Sequence, residues 1–220
     1  MWIKPFYRNR AEAGQKLAER LKPAFSKADT LVLALPRGGV PVAFEIAQAL
    51  HCDLDVFLVR KIGVPGREEL AMGAVASGDV RVLNDAIIRE LRIPQAAIES
   101  ATEREQREIG RREHLYREGR PALTPQGRTV LLVDDGLATG ATMLAAARAV
   151  RQQRPARIAV AVPVGSVEAC EEFRHHVDDL LCAATPYPFQ AVGVWYEDFS
   201  QTSDEEVREL LERAAHQYSA

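Results

Sequence analysis

At 220 residues, 47% hydrophobic and 27% charged, the chain is long enough to bury one good core. A formal net charge of −3 excludes a global attraction to nucleic acid or to an anionic membrane. Cys52, Cys170 and Cys182 lie far apart with no C-x-x-C pair, a set that reads as reduced, mostly buried thiols in a cytoplasmic protein. The stretch "MWIKPFYRNR" holds no apolar run of signal-peptide length, and no apolar segment of roughly 18 residues occurs anywhere. A soluble, intracellular protein is therefore expected.

In chain order, "RNRAEAGQKLAERL" places Ala13, Leu17 and Leu21 on one stripe, which predicts a helix packed on an edge. "DTLVLALP" is a continuous apolar run of strand length, followed by "RGG" and the helical "VPVAFEIAQAL". "DLDVFLVR" reads as the next strand, ending at Arg60. Gly63, Pro65 and Gly66 then predict an irregular loop over 62–70, with a strand resuming at Ala71. "LAMGAVAS" and "VRVL" read as two short strands around the turn "SGD". The charged segment 94–119 predicts a long helix. It reads either as a solvated rod carrying i,i+4 ion pairs or as an oligomer contact or basic arm. "RTVLLVDD", "ARIAVAVPV" and "VDDLLCAAT" complete the strands, with helices "ATMLAAARAVRQQ" and "SVEACEEFRHH" between them. A Pro- and aromatic-rich stretch follows, and Ser203 with Glu206 forms a capping box for a final helix. Continuous apolar strands separated by helices indicate an α/β, Rossmann-like fold, a mostly parallel sheet flanked by helices.

"TVLLVDDGLATGATM" departs from this rhythm, because a strand built for a dry core ends in Asp134 and Asp135. Parallel sheets bind ligands at the carboxyl ends of their strands. Gly136 and Gly140 let the backbone turn its amides inward, and Thr139 and Thr142 add hydroxyls, so the loop suits a phosphate at a helix N-terminus. The carboxylates would repel that phosphate and suit hydroxyls or Mg²⁺ instead. A phosphate at one end and a diol or metal at the other describe a sugar phosphate. Neither G-x-x-x-x-G-K-[ST] nor a post-strand G-x-G-x-x-G is present, so the nucleoside-triphosphate and dinucleotide fingerprints are missing.

The same stretch closely resembles the phosphoribosyl pyrophosphate (PRPP) motif of type I phosphoribosyltransferases, especially the adenine-type members, with Ala138 before the threonine. The resemblance covers roughly residues 30–200 and includes the "LPRGGV", "VRKIGVPG" and "VDDGLATG" pattern of a group of bacterial phosphoribosyltransferase-like proteins. It implies that Ala138, Thr139, Gly140, Ala141 and Thr142 cradle the 5′-phosphate. Asp134 and Asp135 then hold the ribose hydroxyls and meet Mg²⁺ indirectly, through PRPP or water. Arg37, Gly38 and Gly39 take the pyrophosphate, a role that an ordinary strand–helix turn leaves open. Arg60 and Lys61 act with the two aspartates in catalysis, or are a solvated strand end. A hood is expected from about 1–10 and 186–202, around a core at about 28–185, with 94–119 as a charged insertion, all in one domain spanning 1–220. Phe189, Val192, Trp195 and Tyr196 either contact a flat base or pack a satellite core. Some purine enzymes carry an aspartate where this chain has Ala138, so one candidate for proton transfer is missing. The implied activity is Mg²⁺-dependent transfer of phosphoribosyl from PRPP to a nucleobase-like acceptor, in cytoplasmic nucleotide salvage, by a homodimer engaging neither nucleic acid nor membrane. A non-catalytic PRPP-binding regulator uses the same residues and stands as the alternative.

Overall fold

Alternation within the apolar runs decides which layer each side chain joins. In the strand Thr30–Ala34 (β1), Leu31 and Leu33 face one core while Val32 and Ala34 face the other. Thr129–Val133 (β6) repeats the pattern, with Val130 and Leu132 against Leu131 and Val133. A strand buried on both faces carries no polar side, which is why these segments read as unbroken apolar runs. The computed structural model describes residues 4–25 and 29–217; the first three residues of the expected hood lie outside the described residues.

Five parallel strands form the main sheet in the order β2-β1-β6-β7-β8, with β2 at Asp53–Val56, β7 at Arg157–Val164 and β8 at Asp179–Ala184. Helices Arg10–Phe25 (α1) and Gly39–Leu50 (α2) cover one face, and Asp204–Gln217 (α7) packs into the same core. Ala141–Gln152 (α5) and Val167–Phe173 (α6) cover the other. The central neighbours β1 and β6 therefore send their following helices, α2 and α5, to opposite faces. That divergence opens a crevice at their carboxyl ends, the switch point of the sheet.

Two expectations change. "DLDVFLVR" does not continue as one strand: β2 stops at Val56 and Val59–Val64 (β3) joins a second, antiparallel sheet with Arg67–Ala76 (β4) and Val80–Leu83 (β5). The switch occurs where the Leu58 N–H donates to Ser77 Oγ at 2.9 Å and the Ser77 N–H to the Leu58 carbonyl at 2.9 Å. The expected irregular loop over 62–70 is instead the tip of that hairpin. Gly66, at φ 75°, completes the turn after Pro65, and register irregularity is absorbed around Gly63. A Cβ on Gly63 would lie 2.7 Å from the Glu68 carbonyl, so the glycine serves close strand pairing here.

Asp85–Glu90 (α3), capped by the Asn84 side chain, leads into Gln95–Arg117 (α4). The charged helix has an i,i+4 ion pair of the expected kind, Glu108 with Arg112, and an i,i+3 pair, Glu108 with Arg111, on its outer side. Its other side buries Ile98, Ala101, Ile109 and Tyr116 against the hairpin and α7. Arg117 closes its end on Asp55 at 2.9 Å, with both side chains under 10% exposed. At the head of β2, Cys52 is buried, which pushes its thiol up to about 12. Iodoacetamide at about pH 8 is expected to leave Cys52 unmodified until the protein unfolds, since only about one thiol in ten thousand is then ionised. Alkylation of native Cys52 at the rate of an exposed thiol, read by peptide mass mapping, would contradict this packing.

Candidate functional site at the carboxyl ends of β1 and β6

The two strand ends are tied together before their loops diverge. The Leu35 N–H donates to the Val133 carbonyl at 2.9 Å, and the Gly39 N–H returns to the Leu35 carbonyl at 3.0 Å. The turn at Pro36–Gly38, whose Pro36–Arg37 peptide is cis, thus lies directly against Asp134 and Asp135. A Cβ on Gly38 would fall 2.0 Å from Asp135 Oδ2, and one on Gly39 would fall 2.7 Å from the Val133 carbonyl. Only glycines permit the two loops to meet this closely.

Each aspartate commits one carboxylate oxygen to the protein. Asp134 Oδ1 accepts from the Asp135 N–H at 2.8 Å, and Asp135 Oδ2 accepts from Arg10 Nε at 2.9 Å. Among the described residues, neither Asp134 Oδ2 nor Asp135 Oδ1 has a hydrogen-bond partner, so one acceptor per acid remains for a ligand. Burial, then the neighbouring carboxylate, pushes the Asp134 carboxyl well above the usual range. Burial also raises Asp135, against the opposing pull of Arg10. Such a pair favours donors and cations. Among the described residues no group of three or more His, Cys, Asp or Glu is placed to hold a metal ion. The two open oxygens therefore fit Mg²⁺ only as part of a shell completed by phosphates and water.

The loop beyond the acids is held from below. Leu137 is buried, its N–H donates to the Val164 carbonyl at 2.8 Å, and Ser166 Oγ donates to the Ala138 carbonyl at 2.9 Å. Gly136 packs against Val192, and Gly140 turns into α5 at φ 72°. Among the described residues no backbone hydrogen bond is donated by the N–H groups of Ala138, Thr139, Gly140, Ala141 or Thr142. These amides and the exposed threonines leave an open helix start whose chemistry suits an anion.

The other expected residues are distributed unequally. Arg37 leaves the Gly38–Gly39 turn toward α7, 3.6 Å from Asp204 Oδ1, and remains one-third exposed. Arg60 and Lys61, adjacent in β3, project to opposite faces of the hairpin. Arg60 Nε is 2.6 Å from Glu105 of α4. Lys61 lines a cavity of 190 Å³ with Ala141, Leu144 and Arg148 of α5, beside the helix start. In the hood, Trp195 stacks on Phe6 at 4.8 Å, and Tyr196 packs between Tyr7 and Phe199 while its hydroxyl donates to the Asp135 carbonyl at 2.7 Å. Both rings are buried in this aromatic cluster, whereas Phe189 and Val192 stay partly exposed at its edge. Sequence reasoning missed Arg10. Nothing local separates it from Arg8, because its partner Asp135 lies 125 positions away.

The Phosphoribosyl transferase domain family matches residues 6–197. A protein of Mycobacterium tuberculosis H37Rv named "Putative phosphoribosyl transferase" is 44% identical over 211 residues, 96% of this chain and 47% of the relative. The chain thus spans about half the length of the curated relatives it matches. The crystal structure of TT1426 from Thermus thermophilus matches with a TM-score of 0.83 and 43% identity, over 94% of this chain and 98% of that one. AQ2163 from Aquifex aeolicus shares the fold at a TM-score of 0.51 and 10% identity, over 92% of this chain and 84% of that one.

Proposed function

The chain belongs to the phosphoribosyl transferase family, and we propose that it binds PRPP with Mg²⁺ and transfers the phosphoribosyl group to a nucleobase-like acceptor, releasing pyrophosphate. The observation that carries this reading is the meeting of two ligand-type loops at the switch point, where Gly38 touches the Asp135 carboxylate. Asp134 Oδ2 and Asp135 Oδ1 accept from the two ribose hydroxyls. The amides of Ala138–Thr142 hold the 5′-phosphate. Arg37, Gly38 and Gly39 face the pyrophosphate, with Lys61 across the α5 start.

In transfer, the bond from C1′ to the pyrophosphate oxygen breaks and its electron pair leaves with pyrophosphate. A nitrogen lone pair of the acceptor forms the new bond, and the proton displaced from that nitrogen passes to the departing pyrophosphate or to water. Positive charge develops on the sugar, which the aspartates stabilise, and negative charge develops on the leaving group, which the cations and loop amides stabilise. Mg²⁺, when bound, neutralises pyrophosphate charge. The hairpin next to the crevice restricts water, which would otherwise capture the sugar.

Because Arg60 is committed to Glu105, the two basic residues should separate in assay. Lys61→Met is expected to lower kcat/KM about a hundredfold, and Arg60→Met about tenfold less severely. Steady-state pyrophosphate release measures both, and the reverse order would contradict the assignment. We take the chain as one unit with core, hood and α4 as outlined above. We assign it to cytoplasmic nucleotide salvage, as a homodimer acting on small molecules. Its charge supports this, and no described helix is long and apolar enough to cross a membrane.

The burial of Trp195 and Tyr196 favours one second reading, a PRPP-binding regulator without a base pocket. A pyrophosphate-release screen with PRPP, Mg²⁺ and a panel of purines and pyrimidines separates the two. Release with one acceptor class supports the transferase. PRPP binding without release for any acceptor establishes the regulator.

A further inference from the structure

Resting on the reading of the crevice as a PRPP site, we propose that Arg10 is a positioning residue of that site: it fixes Asp135 so that one carboxylate oxygen faces the ribose, and couples that acid to the hood. Arg10 begins α1, on the far side of the chain from the PRPP loop in sequence. Its guanidinium nevertheless sits at the junction of three segments and its side chain is only 11% exposed. Nε donates to Asp135 Oδ2 at 2.9 Å, and Nη1 donates to the Ser200 carbonyl at 2.7 Å. The guanidinium carbon lies 4.0 Å from the centre of the Phe199 ring. A Cβ on Gly38 would lie 3.2 Å from Nε, so the same group also borders the pyrophosphate turn.

A simple anchor for the N-terminal segment would not need this partner. Glu12, two residues on, is paired with Arg8 and Lys16 instead. Arg10 reaches past it to one of the two acids of the crevice. The consequence is geometric. Asp135 lies beside a second carboxylate and against a glycine that imposes no side-chain wall, and among the described residues Arg10 is the one side chain that hydrogen-bonds its carboxylate. With Oδ2 held, Oδ1 is presented for a hydroxyl. The planar fork that makes this contact also grips Ser200 and Phe199, within the hood, while Tyr196 hydrogen-bonds the Asp135 backbone from the other side. Donor binding and hood placement therefore share one residue.

The test is titration of PRPP with Mg²⁺ into the wild-type chain, Arg10→Met, Arg10→Lys and the exposed control Arg8→Met, with steady-state kinetics and thermal melting on each. Arg10→Met is expected to raise the Kd and KM for PRPP about tenfold or more, with kcat kept within a few-fold. Arg10→Lys restores part of that loss through its charge, and Arg8→Met stays at the wild-type value. Wild-type PRPP affinity in Arg10→Met overturns the proposal while leaving the PRPP site standing. A fall in melting temperature with KM for both substrates raised alike, and no rescue by lysine, also overturns it in favour of a mere anchor. If Arg10→Met does not fold, Arg10→Lys carries the test: PRPP weakened several-fold with acceptor KM unchanged supports positioning, and unchanged PRPP affinity overturns it. Failure of the wild-type chain to bind PRPP instead removes the underlying site assignment.

Discussion

Converting Asp134 and Asp135 together to asparagine is expected to abolish pyrophosphate release, by a factor of about a thousand or more, while leaving the fold intact. The amides match the acids in size, and the new side-chain carbonyl at position 134 can still accept from the residue-135 N–H. What disappears is the pair of charged acceptors for the ribose and the countercharge for Arg10. The fold should tolerate the change because burial already opposes ionisation of both groups. Removing two crowded carboxylates relieves their desolvation cost, which offsets the loss of the Arg10 ion pair, and the residue-135 amide oxygen can still accept from Arg10 Nε. A coupled pyrophosphate assay and a thermal melt report the two halves of this expectation. Unchanged release in the double variant would sink the assignment.

The second large effect should come from a single methyl group. Gly38 has φ −60° and ψ −30°, an ordinary conformation for any L residue, so alanine there meets no backbone strain. Space is the obstacle, since the new Cβ would lie 2.0 Å from Asp135 Oδ2 and 2.7 Å from its Cγ. The short aspartate must swing away and break its bond to Arg10. Gly38→Ala is expected to weaken PRPP binding about a hundredfold with a small change in melting temperature. Gly39→Ala differs, because its Cβ would meet backbone, the Val133 carbonyl at 2.7 Å and Asp134 Cα at 3.0 Å. There the strand end must shift, and a loss of about 1–3 kcal/mol of stability should accompany the loss of binding. PRPP titration and melting of both variants separate the two. Equal melting losses would show that Gly38 serves the fold rather than the acid.

Much of the scaffold was legible because burial leaves a strong local mark. The unbroken apolar runs of β1, β6 and β7, the helices between them and the Ser203 cap, which accepts from the Glu206 N–H at 3.1 Å, all follow from adjacent residues. The acid pair and small-residue loop were legible for the same reason, since one contiguous stretch supplies both. Features set by distant partners were not. Gly63, Pro65 and Gly66 read as breakers, yet a hairpin needs such residues at its turn and bulge. Arg60 and Lys61 read as one basic pair until strand alternation sent one to Glu105 and the other toward α5. Trp195 and Tyr196 read equally as base contacts or as core, and their packing on Phe6, Tyr7 and Phe199 is set by residues distant in sequence.

The most direct test of the central claim, that the loops after β1 and β6 form one PRPP site, is calorimetric titration of PRPP into the wild-type chain with Mg²⁺. The expected result is saturable binding of one PRPP per chain, displaced by pyrophosphate and by ribose 5-phosphate, each of which occupies half of the site. Absence of PRPP binding at millimolar ligand would contradict it, as would binding that neither half-ligand displaces.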